Sequence, residues 1–272
     1  MRKSMSLKEQ FCMKHYLVKK KLSPITNSSQ GYLWDILAHG LVERLKKIKL
    51  KGSSVALIGP SSMVIHTYLM MRYPLMKVDC FEDAWQMSDQ SYDCIVINGI
   101  LSWLNAPAAF IEDAFSALNT HGLFLMSALG PGTLQNVQQA AIKMNWHARA
   151  DALVDMHHWG DCLLKVGFLD PVMDRQDIVI EFAKPSDWFH DWKSLGIQDL
   201  SEPACKHFIT PRQWQIFLNL CHPKKEEAFK GEFECVYGHA YKPAVLKQKT
   251  TQEGVVVSLD SLKKTLRSVS KK

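Results

Sequence analysis

The chain lacks several features that would decide its class at once. Its seven cysteines are odd in number and widely spread, and none forms a C-x-x-C pair. That argues against a disulfide framework or a zinc site and suits reduced thiols. The longest apolar stretch, Ile95 to Phe110, is interrupted by Asn98, Ser102, Asn105 and Pro107, so no transmembrane helix is expected. The N-terminus is charged but has neither the apolar core nor the cleavage pattern of a secretory leader. No internal repeat is visible. These absences predict a cytoplasmic protein with no membrane partner. Its 272 residues are enough for one large or two small domains with a real core.

Acidic residues are scarce at both ends. Residues 1–21 carry seven Lys/Arg against Glu9, and residues 242–272 carry eight against Glu253 and Asp260. The total is 33 Lys/Arg and 27 Asp/Glu, so residues 22–241 hold 18 against 24, a net −6. The basic character therefore lies in two tails, which read as solvated ends. The body offers no obvious phosphate-binding face, and nucleic acid is not the expected partner. The expected organisation is a basic segment or lid over 1–30, a main domain over 31–243 and a basic tail over 244–272. A tryptophan-rich helical insertion falls at about 186–222, with Trp188, Trp192 and Trp214.

Glycine is also scarce where it would matter most. Ser53 to Met63 reads SSVALIGPSSM: a short buried strand, a stop at Gly59-Pro60, and a helix from about Ser61. Strand, glycine turn and helix is how an α/β domain opens a nucleotide site, with free N–H groups and a positive dipole end facing an anion. Only Gly59 is present here. Ser61 and Met63 stand where further glycines would let a ligand approach the backbone.

Along the rest of the chain, Leu33, Trp34, Leu37, Leu41, Leu45 and Ile48 form one helical face. The helix after Gly59 carries Met63, Val64, Tyr68, Leu69 and Met71, whose methionines read as core filler. Strands are expected near 76–80, at Cys94–Ile97, at Leu123–Met126, at Ile178–Phe182 and at Glu232–Tyr241. Val255–Val257 offers a further short one. Helices are expected near 107–119, 133–144 and 158–166, the last started by Asp155 as N-cap and stopped at Gly167. Apolar strands alternating with helices predict an α/β fold with a doubly wound, mostly parallel, Rossmann-like sheet. Its C-terminal edge strand is expected to be antiparallel.

Four segments resemble the class I S-adenosylmethionine-dependent methyltransferases, and more narrowly the malonyl-acyl-carrier-protein O-methyltransferases of biotin synthesis. They are Tyr92–Asn98 (YDCIVIN), Leu118–Leu125 (LNTHGLFL) and Gly130–Leu134 (GPGTL), together with Asp155–Asp161 (DMHHWGD) followed by Gly167-Phe168, Pro171-Val172 and Asp174. The closing Val236–Pro243 (VYGHAYKP) adds to the last of these. The resemblance covers about residues 11–245. It implies a seven-strand sheet with S-adenosylmethionine at the carboxyl ends of the first strands. The implied reaction turns the free carboxyl of a malonyl thioester on acyl carrier protein into a methyl ester. Such a transfer asks the protein mainly to align donor and acceptor.

Against that pattern, Leu57 replaces the acid of the opening loop, and Ser61 and Met63 replace two glycines. Only thirteen residues separate Asp79 from Asp93, so one βα unit is expected to be missing. Either Asp79 is the ribose acid and the next unit is deleted, or the ribose unit is deleted and Glu82 or Asp83 stands near the adenine. The candidate cofactor residues are therefore Gly59, Pro60, Ser61, Asp79, Glu82, Asp83 and Asn98. Tyr16, with His15, falls where a lid would lie, and Trp103 falls at the expected mouth of the site. Asp155, His157, His158 and Asp161 read as a helix start and not a metal site. His239 reads as a core histidine. Two functions stay open: an active methyltransferase, or a silent relative kept as a binding or regulatory module.

Overall fold

A computed structural model describes residues 32–81, 90–104, 106–145, 153–182, 210–222, 229–244, 249–251 and 254–256. The chain divides into two compact units, Met1–Lys242 and Pro243–Lys272. The second contains a hairpin of β7 (Lys249–Thr251) and β8 (Gly254–Val256). In the first unit, α1 (Tyr32–Leu45) leads into β1 (Ser54–Ile58), α2 (Ser62–Arg72) and β2 (Lys77–Phe81). Next come β3 (Tyr92–Asn98), a 3-10 turn (Ile100–Trp103), α3 (Pro107–Ala117), β4 (Leu118–Leu129) and α4 (Gln135–Lys143). The rest is α5 (Met156–Val166), β5 (Leu169–Phe182), α6 (Pro211–Cys221) and β6 (Phe229–Tyr241).

The six strands lie in the order β2-β1-β3-β4-β6-β5. The first four run parallel, and β6 runs antiparallel between β4 and β5. The antiparallel strand expected near the C-terminus is thus β6, one place in from the outermost strand, β5. On the other side the sheet ends at β2. A seven-strand sheet would carry another strand there, and the described residues carry none, in line with the missing unit.

Parallel strands are buried on both faces, so their sequences read as unbroken apolar runs. Leu57, Val96, Leu125 and Tyr237 belong to the core on one face, under α1 and α2. Ile58, Ile97, Phe124 and Trp159 belong to the core on the other, under α3 and α5. The Asp155 carboxylate accepts from the His157 N–H at 2.8 Å, and Gly167 closes α5 at φ 111°, as expected for those two caps. Two expectations need correction. Met63 and Met71 are 63% and 80% exposed, because they project from the outer face of α2; they are not core filler. The strand expected at Ile178–Phe182 begins nine residues earlier, at Leu169. No described helix is long and apolar enough to cross a membrane.

Candidate active site

Gly59, Gly99 and Gly130 follow directly on β1, β3 and β4, at one end of the parallel strands. Gly59 has φ 109° and donates its N–H to the Phe81 carbonyl at 3.1 Å. A Cβ there would lie 2.3 Å from the Asn98 carbonyl oxygen, so the turn admits only glycine. Ser61 follows at φ 56° in the left-handed region, where glycine would sit without strain. It makes no side-chain cap to α2. Among the described residues the N–H groups of Ser61, Ser62 and Met63 find no acceptor, so the start of α2 keeps its donors.

Asn98 sits at the end of β3 and is 1% exposed. Its amide donates to the Pro60 carbonyl at 2.7 Å and the Trp34 carbonyl at 3.1 Å. Its own carbonyl accepts from Ser127 Oγ at 2.8 Å, and Ser127 Oγ in turn accepts from the Gly99 N–H at 3.0 Å. Both amide donors are therefore used inside the protein. They tie α1, the β1 turn, β3 and β4 into one corner. The Trp34 ring lies close against Gly99, within 2.6 Å of where a Cβ would be.

One strand across, the loop after β4 is fastened to Glu234 of β6, which is 6% exposed. Glu234 accepts the Gly132 N–H on Oε2 at 2.7 Å and the Gly130 N–H on its backbone carbonyl at 2.8 Å. Thr133 Oγ1 donates to that carbonyl at 3.3 Å and accepts from the Glu234 N–H at 3.2 Å.

The structure thus brings Gly59, Pro60, Ser61 and Asn98 together and places Asp79 apart from them. Asp79 is in register with Ala56, three residues before Gly59. Its carboxylate accepts from Tyr92 Oη at 3.1 Å and faces Lys77 Nζ at 3.3 Å. Tyr92 opens β3, so this pairing turns the acid toward the amino end of the sheet. Trp103 lies in the 3-10 turn just past Gly99. Tyr16, His15, Glu82 and Asp83 lie outside the described residues. Burial, and then Arg44, lower the His239 pKa, which favours a neutral ring on β6. Trp34, Ser127 and Glu234 were missed in the sequence. Their only signals there are a helix-face aromatic, a serine inside an apolar run and an acid among strand residues.

As a test of fit for S-adenosylmethionine, the described residues divide. The strand–turn–helix backbone and the donors of α2 suit the carboxylate end of such a ligand. The partners for its ammonium and ribose groups are not supplied by Leu57, which is fully buried in the core, or by Asp79, which is already paired. Among the described residues there is no cluster of three or more metal-ligating side chains.

No protein-family model matches the chain. It is similar to the malonyl-[acyl-carrier protein] O-methyltransferase 1 of Coxiella burnetii, 27% identical over 278 residues, covering 94% of this chain and 98% of the relative. The enzyme of that name from Laribacter hongkongensis is 28% identical over 169 residues, 62% of this chain. The match spans only 57% of that relative's length. Solved structures with partial likeness include phosphoethanolamine N-methyltransferase 2 of Haemonchus contortus in complex with S-adenosyl-L-methionine. It has a TM-score of 0.44 and 12% identity, over 76% of this chain and 53% of that one. The YcgJ protein of Bacillus subtilis has a TM-score of 0.46 and 11% identity, over 76% of this chain and 99% of that one. By sequence the chain is similar to the malonyl-acyl-carrier-protein O-methyltransferases, and its sheet is doubly wound and mostly parallel, with β6 antiparallel.

Proposed function

We propose that this protein is an S-adenosylmethionine-dependent O-methyltransferase that esterifies the free carboxyl of a malonyl group carried on acyl carrier protein, in the cytoplasm. The observation that carries this reading is the match to the Coxiella burnetii relative along 94% of the chain. The geometry supports it at the corner of Gly59, Asn98 and Ser127, where backbone donors converge at the start of α2. The ligand would supply an activated methyl group. A carboxylate is already a nucleophile, so the chain's task is to hold the two groups in line and keep water out. Gly59, Pro60 and Ser61 shape the turn, Asn98 keeps it in place, and Glu234 fixes the loop after β4. No general base is required.

Titration calorimetry with S-adenosylmethionine tests the reading. Binding in the micromolar range, followed by a mass gain of one methyl group on malonyl-acyl carrier protein, is the expected result. The commitment of Asp79 to Tyr92 and the burial of Leu57 favour a second reading, a binding module that has lost its hold on the donor. Absence of heat at millimolar ligand would leave that reading alone.

A further inference from the structure

The net −6 of residues 22–241 conceals a stretch of the opposite sign. From Arg44 to Val78 the chain has seven Lys/Arg (Arg44, Lys46, Lys47, Lys49, Lys51, Arg72 and Lys77) and no Asp or Glu. The fold gathers all of these but Arg44, which stacks on Tyr237 of β6, at one end. Lys46 to Lys51 join α1 to β1, while Arg72 and Lys77 flank the link from α2 to β2. β1 and β2 are parallel, with Ser54 beside Lys77, and the Lys77 N–H reaches the Ser53 carbonyl at 2.7 Å. Both basic links therefore emerge at the amino end of the sheet, opposite Gly59.

Part of this charge is met within the molecule, where the Asp93 carboxylate at the amino end of β3 accepts from the Ser53 and Ser54 N–H groups. Arg44 is taken by Asp174 of β5, Lys46 pairs with Glu43, and Lys77 faces Asp79. Lys49, Lys51 and Arg72 are exposed and pair with no carboxylate among the described residues, while exposed Lys47 shares the field of Glu43 with Lys46.

Beside the cations stand exposed apolar side chains. Met63 and Met71, eight residues apart on the outer face of α2, are 63% and 80% exposed, and Leu75 just beyond is 97% exposed. At helical rise Met63 lies about 12 Å from Met71 along the axis, toward the Gly59 corner, so only Met71 and Leu75 adjoin the cations. Single exposed apolar residues are ordinary, but a Met and a Leu this exposed beside a set of like charges are not. Methionine is the side chain best suited to repacking against a partner.

We propose that this surface, Met71 and Leu75 at the C-terminal end of α2 together with the basic links beside them, docks an acidic amphipathic helix of a partner protein. Met71 and Leu75 stand at the end of α2 that adjoins the cations, where a short amphipathic helix can meet both. The cations there complement acidic residues flanking that helix's apolar face. A nucleic acid would use the cations but has no use for aliphatic side chains protruding between them. This end is remote from the Gly59 corner. A partner held here therefore leaves the proposed reaction site open and is not the carrier in its reacting pose.

The full chain is titrated into a fluorescein-labelled amphipathic peptide of about 20 residues, leucine on one face and glutamate on the other. Anisotropy is recorded in parallel for a scrambled peptide of the same composition. Met71→Asp and Leu75→Asp alter exposed positions, and a Lys47→Glu/Lys49→Glu double variant reverses the charge. Each is expected to weaken binding about tenfold, and scrambling the peptide to do the same. Raising salt from about 50 to about 300 mM should weaken it further. S-adenosylmethionine titration should be the same in all variants, so failure here is distinct from failure of the proposed activity. Unchanged affinity in the three variants would assign the peptide to the basic tails and overturn the proposal. Equal binding of the scrambled peptide would overturn it too. So would tighter binding of single-stranded DNA or phosphatidylglycerol vesicles through the same residues.

Discussion

The Asn98 side-chain amide reaches back to the Pro60 carbonyl across a separation of 38 residues, at 2.7 Å. It joins the end of the third strand to the turn after the first. A second donor bond, to Trp34, brings α1 into the same corner. An asparagine that could have faced a ligand instead sets the shape of the turn that would meet it. Asn98→Leu should leave two part-buried carbonyls without donors, costing up to about 1–3 kcal/mol for each group left unpaired. Urea unfolding should show the loss, and calorimetry should show weaker ligand binding in the same variant. Unaltered stability would mean the corner is held by packing alone.

Ser61 is in the left-handed region with no side-chain bond to repay the strain. For a residue with a Cβ that conformation costs roughly 1–2 kcal/mol. Glycine also loses more chain entropy on folding, so Ser61→Gly should gain only a fraction of this, about 0.5–1 kcal/mol. The thermal midpoint should rise by about 1–4 °C. If bulk at this turn limits ligand approach, S-adenosylmethionine affinity should rise as well. A fall in the midpoint would show that Ser61 contributes something the contacts do not reveal.

Leu57 lies where the resemblance calls for an acid, yet it is fully buried in the core under α1 and α2. Leu57→Asp should therefore fail to restore a ligand contact. It would put a carboxylate into an apolar core and remove a packed side chain, together costing about 3–5 kcal/mol or more. Circular dichroism should find the variant largely unfolded at a temperature where the wild type is native. A folded variant with tighter S-adenosylmethionine binding would show that the core yields there more easily than its packing implies.

The sequence displayed the parts of this fold whose burial is two-sided. β1, β3 and β4 are apolar runs because both faces are covered, and the caps at Asp155 and Gly167 have local causes. β5 was legible only over Ile178–Phe182. Its first half, around Asp170, Asp174, Arg175 and Asp177, is an exposed edge whose side chains record solvent and not a core. The methionines of α2 misled because Met63 and Met71 are of a type that also fills cores. At the candidate site the turn was legible from Gly59-Pro60, whose chemistry is local. The bond from Tyr92 to Asp79, the tie from Asn98 to Trp34 and the hold of Glu234 on Gly132 were not. Each joins residues far apart in sequence, and neither partner carries a pattern that names the other.

Glu234 makes a separate prediction about the loop after β4. Its Oε2 is the acceptor for the Gly132 N–H, and a glutamine can present a carbonyl oxygen at the same place. Glu234→Gln should stay within about 1 kcal/mol of the wild type, while Glu234→Leu should lose about 1–3 kcal/mol by stranding that donor. Hydrogen exchange should show the Gly132 amide unprotected in the leucine variant and protected in the glutamine variant. Equal protection in both would mean the Thr133 and Gly130 bonds hold the loop without the carboxylate.

Asp93 provides the pH prediction, at the amino end of β3. Burial pushes its carboxyl pKa up, but hydrogen bonds from the Ser53 N–H, the Asn119 amide and Ser54 outweigh burial and leave it lowered. Oδ2 accepts from the Ser53 N–H at 2.8 Å and Oδ1 from Asn119 Nδ2 at 2.7 Å. A carboxyl whose folded pKa lies below its unfolded value binds its proton more readily in the unfolded chain. Its stabilising contribution is complete above the unfolded pKa, in the ordinary carboxylate range, and is lost as pH falls through the lower folded value. Asp93→Asn removes this titration and turns an amide toward groups that are all donors. The variant should be less stable than the wild type at neutral pH, with the gap narrowing as pH drops below about 4. Urea midpoints measured from pH 7 down to pH 3 should converge. Parallel curves over that range would show that the Asp93 network contributes equally in both protonation states, which a lowered carboxyl pKa does not allow.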